Sequence, residues 1–344
     1  MDPALVWEGR GAGARTARAL LVPAGWLYRG GVAVRNALFD SGVLAARATA
    51  LPAFSVGNLT VGGTGKTPVA ADIARRLRDG GARPALVLRG YGDDEPAVHE
   101  RLNPGVPVLT SPDRVAASAR ARQLGCDVVV LDDAFQHRHA RRVVDAVVVA
   151  AEQWVGAPRR CLPAGPYREP PAALRRATLV IVTRKSVGPA MSADVAQSVA
   201  AFTPAPVVCV ALELGALHAV GGEGGTRPLE TLRGASVLAV AGIGAPRRFA
   251  EQLEEVGARV ALVSFPDHHR FTGDDVAAIL RGASAGASIV CTLKDAVKLE
   301  PLWPRASAPL WYVSQRLAID AGAPAYAAAI QRLLDARQHE LSVR

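Results

Sequence analysis

From residue 51 onward, short runs of apolar residues alternate with longer segments in which apolar positions recur at helical spacing. The short runs are continuous rather than alternating, which is typical of strands buried on both faces of a parallel sheet. The pattern therefore predicts an α/β fold. Predicted strands cover 52–57, 84–89, 127–131, 145–150, 178–183, 236–241, 259–264, 288–292 and 309–313, and predicted helices cover 68–79, 246–256, 274–282 and 323–338.

Residues 15–48 have a different pattern, in which a mostly apolar segment is interrupted by arginines and carries two aromatic residues. It predicts an amphipathic helix that Pro23 and Gly30–Gly31 break into two pieces. The segment has too few consecutive uncharged apolar residues to span a bilayer. Two interpretations remain open, a helix at a membrane interface or a helix packed on the protein. The polar and aromatic residues concerned are Arg15, Arg18, Trp26, Tyr28, Arg29 and Arg35.

The glycine-rich segment 215–225 separates the two blocks of strands and helices and predicts a linker. We therefore expect an N-terminal amphipathic segment at 1–50 and a P-loop NTPase-like parallel-sheet domain at 51–214. A linker at 215–235 and a second, smaller α/β domain at 236–344 follow.

Composition narrows the possible partners. The formal net charge is +9, from 40 basic and 31 acidic residues, and only four of the basic residues are lysines. Such an excess suits phosphates, an anionic lipid surface or nucleic acid, although base composition of the genome also explains it. No nucleic-acid reader motif supports the last of these partners. The four cysteines are widely spaced, which argues against a disulfide scaffold or a zinc site, and no secretion signal is visible.

The segment SVGNLTVGGTGKTP at 55–68 predicts a phosphate-binding loop between a buried strand and a helix. Glycines allow backbone N–H groups to face phosphate oxygens, and the helix N-terminus adds positive potential. A lysine there reaches the β and γ phosphates, and a following hydroxyl holds Mg²⁺. Thr60 stands where the strict P-loop pattern has glycine. The predicted nucleotide-binding residues are Gly62, Gly63, Thr64, Gly65, Lys66 and Thr67.

Four further segments carry candidate chemistry. VVVLDDAFQHR at 128–138 ends a buried strand in Asp132 and Asp133, as a Mg²⁺-binding Walker B strand does. RGYGDDEP at 89–96 offers carboxylates that can accept a proton from a hydroxyl group. FPDHHRF at 265–271 suggests a metal site or, as we prefer, an acid–base pair. LPAGPYREP at 162–170 presents Arg168, a weak candidate for phosphate contact.

Taken together, in their order along the chain, the segments resemble the tetraacyldisaccharide 4′-kinase (lipid A kinase) family. The counterparts read GNLTVGGTGKTP, RGYG, DDEP, DDAFQH, LPAGPYRE, AGIGAPRRF, PDHH and TLKDAVK, over about residues 20–315. The resemblance implies phosphorylation by ATP and Mg²⁺ of the 4′-hydroxyl of a tetraacylated glucosamine disaccharide 1-phosphate. It also implies a peripheral enzyme on the cytoplasmic face of the inner membrane, which favours the interfacial interpretation of residues 15–38. It implies a glycolipid substrate and an anionic membrane surface as partners, and neither nucleic acid nor an obligate protein partner.

The resemblance also assigns roles to residues. Asp94 would act as the base with help from His268, and Lys66 would act on the transferred phosphate. Thr67, Asp132 and Asp133 would hold the metal. The expected contacts with substrate or phosphate are Arg89, Glu95, Arg114, Gln136, His137, Arg168, Glu169 and Asp267.

Two points stay open. RGYG and DDEP adjoin in this chain, so that Asp93 follows Gly92 directly and becomes an alternative base to Asp94. The second point is the class of P-loop protein, because a regulatory or metal-insertion GTPase would share the loop and the Walker B aspartate. Guanine selection generally needs an N/T-K-x-D motif, and the nearest candidate, TLKD at 292–295, has one residue too many before the lysine.

Overall fold

The computed structural model describes residues 6, 7, 9, 11–90, 94–156, 159–221 and 225–342. The chain divides into two compact units. The first unit comprises Met1–Tyr91, Leu102–Leu212 and Leu317–Arg344, and the second comprises Gly92–Arg101 and Glu213–Arg316.

The strands and helices follow the predicted alternation along the chain. The strands are β1 Ala53–Asn58, β2 Pro84–Leu88, β3 Val108–Thr110, β4 Val128–Asp132, β5 Val144–Ala150, β6 Leu179–Arg184, β7 Val207–Ala219, β8 Thr226–Arg227, β9 Ser236–Ala241, β10 Arg259–Ser264, β11 Ser288–Thr292 and β12 Leu310–Ala321. The α-helices are α1 Ala12–Asp40, α2 Lys66–Asp79, α3 Glu95–Leu102, α4 Arg114–Gln123, α5 Ala151–Gly156, α6 Pro189–Ala200, α7 Pro246–Glu255, α8 Gly273–Gly282, α9 Leu293–Leu299 and α10 Ala323–Ser342.

A parallel sheet forms the centre of the first unit, with the strand order β7, β6, β5, β1, β4, β2, β3. Every residue of β1, β2, β4 and β5 is buried, because helices and loops cover both faces of the sheet. Phe54 and Ile73 belong to the apolar cluster on one face, and Val129 and Leu131 belong to the cluster on the other. The continuous apolar runs of the sequence therefore arise, as predicted, from strands that are buried on both faces of the sheet.

Helix α1 runs without interruption from Ala12 to Asp40, so the predicted breaks at Pro23 and Gly30–Gly31 are wrong. A proline removes one backbone hydrogen bond, and each glycine costs about 1 kcal/mol relative to alanine. The turns on both sides of the glycines are held from outside, because Tyr28 and Asn36 hydrogen-bond to a loop of the same unit. These tertiary contacts offset the poor helix propensity. Within the described part of the chain, no helix combines the length and hydropathy that a membrane span requires.

The second unit has its own parallel strands, in the order β10, β9, β11, β12. Part of the predicted linker is strand, since residues 215–219 continue β7 and Leu217 pairs with Arg227 of β8. Buried Leu217 and Ala219 pack into the core of this unit, a role that the glycine-rich pattern concealed.

The two units also differ from the predicted domains at their ends. Helix α10, predicted as part of the C-terminal domain, belongs to the first unit, where the Tyr326 hydroxyl donates to Asp72 Oδ2 at 2.9 Å. The segment Gly92–Arg101, predicted in the P-loop domain, belongs to the second unit. The order of the segments along the sequence does not indicate that either one belongs to the other unit.

Candidate functional site

The predicted phosphate-binding loop lies between β1 and α2, as the sequence indicates. Lys66 is the first residue of α2, and Gly65 before it adopts a left-handed conformation with φ of 86°. A Cβ atom at Gly65 would clash with the end of the Leu212 side chain, and the positive φ also favours glycine there. Gly62 is also left-handed, with φ of 103°. The loop and the helix N-terminus thus provide the backbone geometry for binding a phosphate group.

Side chains that the sequence did not single out hold this loop in place. The Thr60 hydroxyl donates to Gln153 Oε1 at 2.7 Å, and the amide of buried Asn58 donates to the Thr60 carbonyl at 2.6 Å. Lys185 Nζ donates to the Gly63 carbonyl at 2.9 Å. Thr60, which departs from the strict P-loop pattern, therefore helps to hold the loop in place through its hydroxyl and carbonyl groups. The rarity of lysine in this chain was the one available signal for Lys185.

Three charged side chains meet at the start of α2. Arg168 Nη1 donates to both carboxylate oxygens of Asp133, at 2.8 and 2.9 Å, and Lys66 Nζ lies 3.4 Å from Asp133 Oδ1. Burial alone would raise the pKa of Asp133, but Lys66 and Arg168 outweigh burial and hold this pKa below its ordinary value. Asp133 has a left-handed backbone with φ of 50°. The structure thus brings together three residues predicted from separate segments.

Asp132 ends β4 and is buried. Its carboxylate Oδ1 accepts from the Asp133 backbone N–H at 2.8 Å, and its carbonyl accepts from buried Arg114 at 3.1 Å. The predicted metal residue Thr67 lies in the first turn of α2. In the described ranges, no group of three or more histidine, cysteine, aspartate or glutamate side chains is arranged to hold a metal ion.

Gln136 and His137 follow the Walker B strand. Gln136 Nε2 donates to the Asn58 carbonyl at 2.8 Å and so connects this segment to the end of β1. Burial and the nearby charge of Arg114 lower the pKa of His137 to about 4, which makes the ring neutral at physiological pH. His137 Nε2 is buried, and no hydrogen-bond partner for it is found in the part of the chain that the structure describes.

Glu169 faces α1 and not the phosphate-binding loop. Its carboxylate accepts from Asn36 at 2.7 Å and from both terminal nitrogens of Arg176 at 2.9 and 3.0 Å. Tyr28 of α1 donates to the Arg168 carbonyl at 3.1 Å. The two residues of the predicted RE pair therefore have different contacts. Arg168 pairs with Asp133, and Glu169 contacts α1. Arg89 follows β2 and is exposed.

The predicted acid–base residues lie in the second unit. Asp94 is buried, and its Oδ1 lies 3.9 Å from His268 Nδ1, within ion-pair range but longer than a hydrogen bond. Asp267 Oδ2 lies 4.0 Å from His268 Nε2. Glu95 begins α3 and is half-buried. Asp93, the alternative base, lies outside the described residues. The sequence prediction that one histidine pairs with a carboxylate fits two neighbours, Asp94 and Asp267.

The second histidine of the PDHH segment has a partner that the sequence analysis missed. His269 Nε2 lies 3.0 Å from Asp275 Oδ2, and the Asp275 side chain also closes the capping box of α8. The T-x-x-D spacing of residues 272–275 was a signal for that capping box. His269 therefore has a structural partner, which leaves His268 as the histidine beside Asp94.

Comparison with known proteins decides the family. The family model for tetraacyldisaccharide-1-P 4′-kinase matches residues 17–97 and 93–335. The chain belongs to this kinase family. Its two matched segments overlap at 93–97, in the stretch that begins where RGYG and DDEP join.

Curated relatives agree with the kinase family. The tetraacyldisaccharide 4′-kinase of Anaeromyxobacter dehalogenans strain 2CP-C is 42% identical over 306 residues, which cover 80% of this chain and 79% of that protein. The Aromatoleum aromaticum protein of the same name is 38% identical over 337 residues, covering 92% and 93% of the two chains. These names support the kinase and not the GTPase alternative.

A solved structure of the same kinase family shows the same fold. LpxK from Aquifex aeolicus, crystallised as an "apo" form in complex with ATP, aligns with a TM-score of 0.74 and 28% identity. The alignment covers 92% of this chain and 99% of that one. The TLKD segment also does not present a carboxylate for guanine, because Asp295 is fully buried and accepts from the Gly242 backbone N–H at 3.1 Å.

Proposed function

We propose that the protein transfers the γ-phosphate of ATP to the 4′-hydroxyl of a tetraacyl glucosamine disaccharide 1-phosphate. The ion cluster of Lys66, Asp133 and Arg168 at the N-terminus of α2 carries the proposal, since two cations are already assembled beside the glycine loop. Phosphoryl transfer depends mostly on positioning and charge stabilisation, which such a cluster provides. Binding of nucleotide would give Lys66 phosphate oxygens as partners in place of Asp133.

A magnesium ion fits the oxygen donors at the end of β4. The carboxylate of Asp132 and the hydroxyl of Thr67 are ligands of the kind that Mg²⁺ prefers, and Mg²⁺ sites commonly use one or two protein groups together with substrate phosphates. Asp133, the third predicted metal residue, is paired with Lys66 and Arg168. When bound, the ion would neutralise charge on the β and γ phosphates.

We assign the acceptance of the hydroxyl proton to Asp94, with His268 beside it. Asp94 Oδ2 is buried and has no hydrogen-bond partner within the described ranges, so one carboxylate oxygen has unused acceptor capacity. The 3.9 Å between Asp94 Oδ1 and His268 Nδ1 allows the histidine to stabilise the protonation change. Distances of this kind commonly shorten when substrate binds.

The exposed face of α1 supports docking at an anionic membrane surface. Leu20, Leu27 and Val34 follow one another at intervals of seven residues and are 76%, 79% and 62% exposed. Trp26 is also exposed, while the opposite side of the helix packs on the first unit through buried Gly25. An apolar stripe on an otherwise packed helix is the pattern of an interfacial helix. It agrees with a peripheral enzyme at the cytoplasmic face of the inner membrane.

The arginines of α1 divide into two groups. Arg15 and Arg29 are exposed and can face anionic lipid. Arg18 instead donates to the carbonyls of Val6, Trp7 and Gly9, and Arg35 donates to the Gln136 carbonyl at 2.8 Å. One side of the helix therefore packs on the protein, and the other side is exposed, which supports the proposed membrane contact.

The direct test of the function is transfer of ³²P from γ-labelled ATP to the tetraacyl disaccharide 1-phosphate. We expect a product labelled at the 4′ position with wild-type protein. Labelling that depends on GTP, or no labelled lipid at all, would contradict the proposal. For the docking surface, Leu27→Glu should reduce co-flotation with anionic vesicles, whereas Leu124→Glu, at an exposed leucine beyond α4, should not.

A further inference from the structure

The loop that carries His268 has a backbone that its own side chain does not fix. His268 adopts the left-handed conformation with φ of 58°, which non-glycine residues rarely occupy. Its side chain is 57% exposed, so packing around the ring does not impose this conformation. A rare backbone conformation persists where surrounding structure determines it. Two local hydrogen bonds contribute, from His268 N–H to Asp267 Oδ1 and from His269 N–H to the Pro266 carbonyl, each at 3.1 Å, and the contact of the His269 carbonyl adds to them.

Lys298 of α9 holds the peptide that follows His268. Lys298 Nζ donates to the His269 carbonyl at 3.2 Å and lies 3.4 Å from Asp295 Oδ1. Asp295 is fully buried, and its Oδ2 accepts from the Gly242 backbone N–H and the Thr292 hydroxyl, at 3.1 and 2.7 Å. A carboxylate anchored in this way fixes the position of the lysine that it pairs with.

The segment after β9 packs closely against Asp295 and against the loop that carries His268. A Cβ atom at Gly242 would lie 3.0 Å from Asp295 Oδ1 and 3.5 Å from the Pro266 carbonyl oxygen. Gly242 therefore allows the buried carboxylate and the start of the His268 loop to approach the end of the strand. The AGIG and TLKDAVK segments thus contribute a backbone N–H, a carboxylate and an ammonium group to one support for the PDHH segment.

We infer that Lys298 and Asp295 are positioning residues, which hold the His268 peptide in its left-handed conformation and so direct the imidazole toward Asp94. The inference rests on the proposed function, because it assumes that His268 assists proton transfer. It gives a role to the TLKDAVK segment, which the phosphate-transfer chemistry leaves unused. Neither residue needs to touch substrate.

Lys298→Met removes the ammonium group and keeps the length of the side chain. We expect kcat to fall about 10- to 100-fold, because a misplacement of about 1 Å at a reacting group costs up to that factor. The KM for ATP should stay within about twofold, since the nucleotide residues belong to the first unit. Asp295→Asn, which weakens the hold on the lysine, should act in the same direction. Lys294→Met removes a charge from the same helix and serves as the matched control, with expected wild-type kcat.

A double-mutant cycle with His268→Ala separates positioning from a general structural role. If Lys298 acts through His268, Lys298→Met should lower kcat in the wild-type background and change it little once His268 is absent. An equal loss in both backgrounds, or no loss in the wild-type background, would overturn the inference. If His268→Ala keeps the wild-type rate, the role given to His268 in the proposed function is itself wrong.

ATP affinity and the melting temperature of each variant show whether it is folded. Should Lys298→Met fail to fold, Lys298→Gln retains a side-chain N–H donor and enters the same cycle. A smaller loss of kcat from Lys298→Gln in the His268→Ala background than in the wild-type background would support the inference, and strict additivity of the two substitutions would overturn it.

Discussion

Among the described residues, the phosphate-binding region of the first unit and the acid–base region of the second unit each contain one non-glycine residue with a left-handed backbone. In the first region this residue is Asp133, whose own carboxylate is held by Lys66 and Arg168. In the second region it is His268, whose ring is largely exposed and whose backbone is held through hydrogen bonds of its own N–H and of the neighbouring His269 peptide. The first region is therefore preformed by direct ionic contacts, and the second is supported through backbone hydrogen bonds.

This difference predicts different kinetic consequences for the two regions. A substitution among the phosphate-binding residues removes charge from the place where the transition state needs it, and it also weakens nucleotide binding. A substitution in the acid–base region should lower kcat and leave ATP affinity unchanged. The experiments below test that separation, beginning with the largest expected effect.

Lys66→Ala should lower the rate of transfer by about 10³-fold or more, because the variant loses the cation that stabilises the transferred phosphate. Its melting temperature should change little, since the Lys66–Asp133 pair is partly exposed and contributes little stability. Lys294→Ala is the control for loss of a lysine elsewhere. Near-normal transfer by the Lys66 variant would remove the phosphate-binding role from the loop.

Asp94→Asn should lower kcat by about 10²- to 10³-fold, the contribution typical of a positioned general base. ATP affinity, measured by titration calorimetry, should equal that of the wild type. Asp93→Asn is the informative partner variant, because the two aspartates are adjacent where RGYG and DDEP join. A large loss of kcat in Asp93→Asn with little loss in Asp94→Asn would transfer the role of base to Asp93.

The fold was largely predictable because parallel strands buried on both faces leave continuous apolar runs in the sequence. The predicted strands start within one residue of the observed strands, but the last one is longer, since β12 extends to Ala321. Strands β3, β7 and β8 were missed. Strands β3 and β8 have only three and two residues, whereas β7 begins with a continuous apolar run at 207–212 that was not predicted as strand and ends inside the glycine-rich predicted linker. The uninterrupted α1 was missed because tertiary contacts, which no local pattern records, override Pro23.

The candidate site was predictable to the extent that its residues follow strand ends. Lys66, Asp132 and Asp133 were predicted in this way. The residues that support the loop, Gln153 and Lys185, come from α5 and from the end of β6, and nothing in their local sequence indicates that they reach the loop. Three-dimensional contact alone shows their role.

Gln153→Ala should weaken ATP binding by about fivefold, because it removes the hydrogen bond to the Thr60 hydroxyl, worth about 1 kcal/mol. Thr60→Val should have a similar effect, and the double variant should be no worse than either single variant. Gln338→Ala on α10 is the control for an exposed glutamine. Additive losses in the double variant would show that the two residues act independently and that the loop is fixed by other contacts.

The last comparison concerns pH, and it sets a half-buried histidine against an exposed one. Because burial and Arg114 lower the pKa of His137 from 6.5 to about 4, the unfolded chain takes up a proton between these values and the folded protein does not. The contribution of His137 to the free energy of unfolding is therefore fully present above about pH 6.5 and is lost as the pH falls toward 4. After allowance for solvent screening of a half-buried ring, we expect a loss of about 1 to 2 kcal/mol.

Urea unfolding at pH 7 and pH 5 measures this loss. His137→Gln should reduce the difference in stability between the two pH values, whereas His339→Gln, at an exposed position of α10, should leave it unchanged. A stability difference that is the same in His137→Gln as in the wild type would mean that the ring is not held neutral in the folded protein. The phosphate-binding region would then be more accessible to solvent than its contacts indicate, and the contrast with the exposed His268 would be weaker.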